Sequence, residues 1–464
     1  MQEQEISSIL RVGDLDFPKR KVWMKTYGCQ MNYHDTERVL SHLKELNFEK
    51  TESQEEADLL LFNTCAIRDL ANQKFYSHLG NTKKLRDVKI GVGGCIAQTD
   101  SKELLDKYKH LNFAFGTDAI DNIKEMVYRA YMGDDKFAVT SWDKSENYSI
   151  ETKMTHGSPQ AFVNIIKGCD KFCSYCIVPF TRGREKSRRQ QEIVDDVKKL
   201  VEYSGIQEVT LLGQNVNSYG KDNNESLASL ILDLEKINGL EIIRYTTSHP
   251  YDVSDELIAV HGSSKKLANH LHLPVQSGSN TVLQRMLRQY SVEHYLGLLE
   301  KLRKANPEIV ISTDIIAGFP NETQEEHEDT LKLLDLAQYD FIYSYNFSAR
   351  PGTKAARMQD ILTDEIRGRR LREIQAKQLL IQEKMRKNIV GKTIRLLVEG
   401  KSSFKGETKW KGRSSCFRII HFKPENNEAN YQWHWVDVKV ISATALSCQA
   451  ELLFDHGHKI SPIQ

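Results

Sequence analysis

The sequence has no apolar run approaching the roughly 20 residues needed to cross a bilayer. Residues 1–17 lack the basic stretch, apolar core and small-residue cleavage site of a secretory signal. Net charge is nearly absent too. The 64 Lys and Arg face 63 Asp and Glu, leaving +1, so attraction for a polyanion must come from local clusters. Internal repeats and low-complexity tracts are missing. Cysteine is sparse, with eight in 464 residues. In a chain expected to be cytoplasmic, such thiols stay reduced and read as metal ligands or buried small hydrophobes, not as a disulfide framework. No motif supplies a Ser-His-Asp or paired-carboxylate arrangement. What is there is a globular composition, 40% hydrophobic and 27% charged, with length for about three domains of roughly 100–200 residues.

In residues 21–131, β-rich runs at 22–27, 57–64, 88–93 and 111–116 alternate with helical segments. This predicts an α/β domain with a parallel sheet. Residues 132–159 are polar and read as a linker with one strand at 137–140. Six further apolar runs at 161–166, 208–212, 241–247, 270–273, 310–316 and 341–347 alternate with helical segments. They predict a (β/α)6-type barrel or partial barrel, with its chemistry at the carboxyl ends of the strands. An Arg-rich helix is expected at 363–388. Alternating runs at 394–398, 416–422 and 433–442 suit a small antiparallel all-β barrel. The expected domains are residues 21–135, 155–388 and 389–455.

The eight residues from Cys169 to Cys176 hold three thiols, Cys169, Cys173 and Cys176, directly after a predicted strand. Three thiolates from one loop suit a 4Fe-4S cluster whose fourth iron is free for substrate, whereas structural zinc usually takes four ligands and closes its shell. A zinc knuckle or three buried thiols is the alternative. The motif resembles that of the radical S-adenosylmethionine (SAM) superfamily, and the resemblance spans about residues 159–381. It implies that SAM chelates the open iron and that the reduced cluster releases a 5'-deoxyadenosyl radical, so the cofactor carries the difficult step. It also implies SAM contacts at other strand ends: Gln214 in Leu211-Leu212-Gly213-Gln214-Asn215, Gln276 in Leu273-Pro274-Val275-Gln276-Ser277-Gly278, and Asp314. For any one of these, turn-making or capping is the competing role.

Cys29, Cys65 and Cys95 lie far apart in sequence, yet each follows the end of a predicted strand. Neighbouring parallel strands are about 4.8 Å apart, so strand-end thiols can converge on one edge of a sheet. Gly28, Gly93 and Gly94 would let the backbone approach closely. Three ordinary buried cysteines fit the spacing equally well. Here Tyr27-Gly28-Cys29-Gln30-Met31-Asn32, Asn63-Thr64-Cys65-Ala66-Ile67-Arg68 and Gly93-Gly94-Cys95 resemble the amino-terminal domain of methylthiotransferases. That resemblance implies a second, auxiliary 4Fe-4S cluster on these thiols that presents sulfur, with two SAM consumed per product. Cys416 and Cys448 are expected to be packing residues.

The loop at 181–189 carries Arg182, Arg184 and Arg188 beside the first cysteine motif, where phosphate contact or a solvated charged face are the two readings. Arg350 lies in a segment, Phe347-Ser348-Ala349-Arg350-Pro351-Gly352-Thr353, that also matches the methylthiotransferase pattern, and it is assigned to SAM or RNA. In the terminal region Lys405, Lys409, Lys411 and Arg413 surround Trp410. Small β-barrels of this mix bind RNA by phosphate attraction and stacking, although Trp410 packing in the barrel core is the alternative. The region resembles a TRAM domain, an RNA-binding module. Within the methylthiotransferases the resemblance is greatest to those that act on carbon 2 of N6-isopentenyladenosine next to the anticodon of tRNA. Rival readings are a methylthiotransferase acting on threonylcarbamoyladenosine or a ribosomal-protein aspartate, and a noncatalytic RNA-binding iron-sulfur sensor. The implied partners are tRNA, an electron donor such as flavodoxin or ferredoxin, and an iron-sulfur or sulfur carrier.

Overall fold

The computed structural model describes residues 18–134, 136–142, 150, 152, 157–404, 407–423 and 429–457. The chain forms two compact units. The first takes the chain up to residue 156 with Lys167–Asp170 and Ile177–Lys186; the second takes Gly157–Ile166, Lys171–Cys176 and everything from Ser187 on.

In the first unit the order is β1 (Arg20–Thr26), α1 (Gln30–Lys44), β2 (Phe48–Lys50), β3 (Leu59–Thr64), α2 (Asp69–Asn81), β4 (Lys89–Gly94), α3 (Cys95–Lys107), β5 (Phe113–Phe115), α4 (Ile123–Tyr131) and β6 (Phe137–Val139). The sheet runs β2-β1-β3-β4-β5-β6, and every pair is parallel. Strand β3 is buried along its whole length, which is why it reads as a continuous apolar run: helices cover both faces. Its alternate residues feed two cores. Leu59 and Leu61 pack with Val39, Leu43, Ile123 and Val127; Leu60 and Phe62 pack with Phe75, Leu79, Ile96 and Leu104. Strand β6, expected within a linker, is the sixth strand of this sheet.

The second unit opens with β7 (Gln160–Asn164). Two short strands at the boundary between the units, β8 (Ile166–Lys167) and β9 (Lys186–Ser187), bracket the cysteine loop in the sequence, and the single-turn α5 (Val178–Thr181) between them belongs to the first unit. Then follow α6 (Gln190–Ser204), β10 (Glu208–Leu212), α7 (Leu227–Glu235), β11 (Ile242–Tyr245), α8 (Asp255–Ser263), β12 (His270–His272), α9 (Asn280–Arg285), α10 (Val292–Ala305), β13 (Val310–Ala317), α11 (Gln324–Ala337), β14 (Phe341–Asn346) and α12 (Asp364–Lys387). Two three-stranded parallel sheets, β7-β10-β11 and β12-β13-β14, join where Ile243 bridges Leu267, giving six parallel strands of a partial barrel. Helix starts follow local chemistry: the side chains of Ser226, Ser254, Ser279, Ser291, Thr323 and Thr363 each accept from a backbone N–H of the first turn.

The last segment closes a five-stranded barrel of β15 (Thr393–Phe404), β16 (Glu407–Ser414), β17 (Ile419–Phe422), β18 (Trp435–Ala443) and β19 (Cys448–Asp455) in the order β15-β16-β17-β19-β18. It departs from the expected antiparallel barrel at one seam, because β17 and β19 run parallel. This barrel seats on the base of the partial barrel. Leu397 and Trp435 pack against Ile242 and Ala268, and Trp435 Nε1 donates to Gln207 Oε1 at 2.5 Å. Arg244, paired with Glu208 at 3.0 Å, donates to the carbonyls of Ser414 and Ser415. No helix among the described residues is long and apolar enough to cross a membrane.

Candidate active site

The three distant cysteines of the first unit come together because the sheet is parallel and in register. Asn63 pairs with Gly93 and Thr64 with Gly94, so Cys65 and Cys95 leave adjacent strands one residue later. Thr26 pairs with Asn63 on the other side, and Cys29 follows as the N-cap of α1. Gly28 has φ +124°, and a Cβ there would lie 2.6 Å from Cys65 Cβ and 3.1 Å from its Sγ, so only glycine allows this approach. Asn32 pins the junction. Its Nδ2 donates to the carbonyls of Tyr27 and Thr64 at 2.9 and 2.7 Å, while Cys29 Sγ lies 3.6 Å from its Oδ1. Asn63 Nδ2 donates to the Asn32 carbonyl, and Thr64 Oγ1 donates to the Gly93 carbonyl.

Cys65 and Cys95 are buried at 2% and 3% exposure. Burial pushes the Cys65 thiol up, and the neighbouring Cys95 and Cys29 sulfurs push it further. Metal coordination deprotonates a thiol outright, so a bound multi-iron group would offset the cost that burial and the neighbouring sulfurs place on the Cys65 thiolate. Among the described residues no three His, Cys, Asp or Glu side chains converge tightly enough for a single metal ion. Three thiols with a glycine-lined approach are the kind of donor set that an iron-sulfur cluster takes.

Arg182 is the residue of this site whose sequence role is corrected. Expected to meet RNA, it is buried, and its Nη2 reaches Asp35 Oδ2 at 2.7 Å and Asn32 Oδ1 at 3.0 Å. Burial opposes its charge, but the Asp35 carboxylate and the Cys95 and Cys29 sulfurs outweigh that and hold its pKa well above the ordinary value. The guanidinium is therefore a fixed positive charge beside the thiols.

In the cysteine loop, Cys169 N donates to the Gly183 carbonyl at 3.1 Å. Arg184 pairs with Asp170 and is mostly exposed. Further along the loop, Lys171 reaches the fully buried Asp252 at 2.7 Å, which also accepts from Lys221 and from Asn215 Nδ2. Burial raises the Asp252 carboxyl, but donation from Lys171, Lys221 and Asn215 outweighs it and holds the pKa below the ordinary range. Asn215 belongs to the second strand-end motif, so that motif anchors the loop. Gln214, its neighbour, is half-buried. Arg188 is corrected as well: it is 1% exposed, pairs with Asp196 at 2.6 Å and donates to the Asn164 carbonyl, so it cannot face RNA.

At the ends of the later strands, Gln276 sits at φ +74°. Its N–H donates to the Asp314 carbonyl, and its carbonyl accepts from Ile316 N, both at 2.9 Å. Such backbone strain in a non-glycine residue persists only where its surroundings hold it, and it gathers at ligand sites. Asp314 Oδ1 lies 3.4 Å from His272 Nε2, and the His272 ring meets Tyr343 edge-on at 5.7 Å. His249 is buried, and its pKa is pushed down to about 2 by burial first and then by the Arg288 charge. Sequence reasoning missed Asp252, His272, Arg288 and Tyr343. His272 ends β12, which was an available signal; the other three lie beyond or within their elements and become site residues only through partners from elsewhere in the chain.

In the terminal barrel, Trp410 is corrected to a core residue. It is 4% exposed and packs with Phe422, Tyr431 and Val436. Arg413 is held by Glu399 at 2.6 Å with its guanidinium over the Phe417 ring. Lys409 is partly buried against Gln449 and Glu407. Lys411 and Arg350 are half-exposed, and Lys405 lies outside the described residues. Cys448 is buried in the barrel core, while Cys416 is half-buried beside Ser414 Oγ.

A cysteine loop after the first of six parallel strands, with polar residues at the ends of the others, defines a radical SAM protein. The radical SAM superfamily model matches residues 163–334, and a model described as uncharacterized protein family UPF0004 matches residues 21–116. The tRNA-2-methylthio-N(6)-dimethylallyladenosine synthase of Carboxydothermus hydrogenoformans is 42% identical over 414 residues, covering 87% of this chain and 93% of that protein. The synthase of Bdellovibrio bacteriovorus is 38% identical over 456 residues, covering 97% and 99%. The chain belongs to this family of synthases. Among solved structures, the radical SAM methyltransferase TsrM of Kitasatospora setae, with cobalamin and a [4Fe-4S] cluster bound, aligns with a TM-score of 0.55 at 12% identity over 73% of this chain and 74% of that one. That likeness shows the fold alone.

Proposed function

We infer that the protein is a radical SAM methylthiotransferase that places a methylthio group on carbon 2 of N6-isopentenyladenosine in tRNA. The observation that carries the reading is the full-length kinship with the synthases, together with the strand-end thiols on a parallel sheet that the superfamily fold alone does not require. Cys169, Cys173 and Cys176 are assigned to the SAM-binding 4Fe-4S cluster, and Cys29, Cys65 and Cys95 to an auxiliary cluster. When bound, these groups supply a 5'-deoxyadenosyl radical from one SAM and a sulfur that carries the methyl group of another.

The chain's own part is orientation and exclusion of water. Asn32, Asn63 and Thr64 lock the three strand ends, so the auxiliary thiols are presented at fixed spacing. Burial of Cys65 and Cys95 keeps water from the sulfur side. Arg182 supplies a positive charge against the anionic sulfurs without leaving its Asp35 pairing. Gln276, Asp314 and Gln214 are assigned to SAM. Phosphate contact is assigned to Arg184, Lys411, Arg350 and Lys405. The electron comes from a flavodoxin- or ferredoxin-type donor, sulfur from an iron-sulfur or sulfur carrier, and a cytoplasmic location accords with reduced thiols.

The test is anaerobic reaction of the reconstituted protein with SAM, reductant and tRNA bearing isopentenyladenosine, followed by nucleoside mass spectrometry. The expected product is 2-methylthio-N6-isopentenyladenosine. Methylthiolation confined to threonylcarbamoyladenosine, or 5'-deoxyadenosine without a modified nucleoside, would overturn the substrate assignment.

A further inference from the structure

The second unit contains a buried cation that the sequence motifs did not single out. Arg288 is 9% exposed, on the turn after α9. Its Nε donates to Tyr290 Oη at 2.8 Å and its Nη2 to the Pro274 carbonyl at 2.7 Å. Its Nη1 points at Cys173 Sγ, 3.5 Å away. None of these three partners is a carboxylate, and a buried cation facing only neutral groups is costly. Burial pushes the Tyr290 phenol up to about 12, so it stays neutral, and the Cys173 sulfur, a thiolate when it ligates iron, is the partner that brings a compensating negative charge.

The contact is built in. Ser174, next to Cys173, donates its N–H to the Met286 carbonyl at 2.9 Å and its Oγ to the Arg285 carbonyl at 2.8 Å. Its own carbonyl accepts from Ala355 N at 2.7 Å. Arg288 N in turn donates to the Leu283 carbonyl. The cysteine loop and the Arg288 turn are therefore joined by two hydrogen bonds from Ser174, one backbone and one side-chain, beside the guanidinium–sulfur contact, and Leu287, at φ +59°, is the bend that turns the chain back toward the loop.

We propose that Arg288 is a positioning residue that holds its fixed charge and an N–H donor against the Cys173 thiolate, raising the reduction potential of the cluster this loop binds. The proposal rests on the assignment of Cys173 as a cluster ligand. Uptake of one electron from an external one-electron reductant adds a negative charge to the thiolate-bound irons. A cation within hydrogen-bonding reach of one sulfur stabilises that reduced state more than the oxidised one, and hydrogen bonds to sulfur and local charge are recognised determinants of such potentials. Arg288 therefore eases the reduction on which SAM cleavage depends.

The experiment is a dithionite-poised redox titration of the full-length, iron-loaded protein by electron paramagnetic resonance, read on the part of the reduced-cluster signal that changes when SAM is added. Arg288→Met is expected to move that midpoint to more negative potential with iron content unchanged, and Arg288→Lys to restore most of the shift. Should Arg288→Met load iron poorly, Arg288→Gln removes the charge while retaining an amide donor and is expected to move the midpoint in the same direction. Midpoints of the Met and Gln variants equal to the wild type, with only a lowered melting temperature, would overturn the proposal. A wild-type signal that does not respond to SAM at all would instead overturn the ligand assignment on which it rests.

Discussion

Trp410 sits among lysines in the sequence, where stacking on a base was a natural expectation, yet its ring is enclosed by Phe422, Tyr431 and Val436. Trp410→Ala should therefore cost about 3–5 kcal/mol, as for a buried aromatic truncation, seen as a lowered melting temperature of the barrel. Below that temperature tRNA affinity should stay near wild type. A loss of affinity in a barrel of unchanged stability would contradict this placement. His249 carries a second consequence. Burial lowers its folded pKa to about 2, against about 6.5 when unfolded, so the fold holds the neutral ring. The sign follows: stability is complete above about pH 6.5 and declines as pH falls from there toward about 2, by about 1 kcal/mol at about pH 5.5. Denaturant unfolding of His249→Gln should show a shallower loss between neutral and mildly acid pH than wild type; equal slopes would refute the buried neutral imidazole. The cysteine motifs were legible because their chemistry is local in sequence or falls at strand ends. The fates of Arg182 and Arg188 were not, since Asp35 and Asp196 become their partners only once helices fold over the sheets.

At the scale of elements, the turn between β16 and β17 is a wedge as much as a connection. Phe417 stacks on His270 at 5.1 Å and on Phe341 at 6.2 Å, and Arg418 pairs with the fully buried Asp340. Removing the guanidinium leaves a buried carboxylate unpaired, so Arg418→Ala should cost about 3–5 kcal/mol. Amide exchange in β15–β19 should accelerate while the first unit keeps its protection. Unchanged exchange would show that the turn does not seat the barrel. Most strands could be read from their apolar runs. Strand β2 is three residues with a single buried position, too short to signal itself. Strand β16 hides because its polar and basic positions alternate with buried Trp410, Gly412 and Ser414. The parallel β17–β19 pairing leaves no local pattern at all, being set by how the barrel closes.

At the scale of the whole molecule, the six cysteines divide by origin. Cys29, Cys65 and Cys95 depend on the register of a six-stranded parallel sheet; Cys169, Cys173 and Cys176 depend on one loop after the first strand of a partial barrel. Different structural origins allow the two sets to be removed separately. The measurement that tests the account most directly compares the Cys29, Cys65 and Cys95 triple Ala variant with the Cys169, Cys173 and Cys176 triple Ala variant. Both are assayed anaerobically for 5'-deoxyadenosine and for methylthiolated tRNA nucleoside by mass spectrometry, with iron content determined in parallel. The account predicts that the first variant still makes 5'-deoxyadenosine but no methylthiolated nucleoside, that the second makes neither, and that each loses about half of the wild-type iron. Methylthiolated product from the first variant, or 5'-deoxyadenosine from the second, would contradict it.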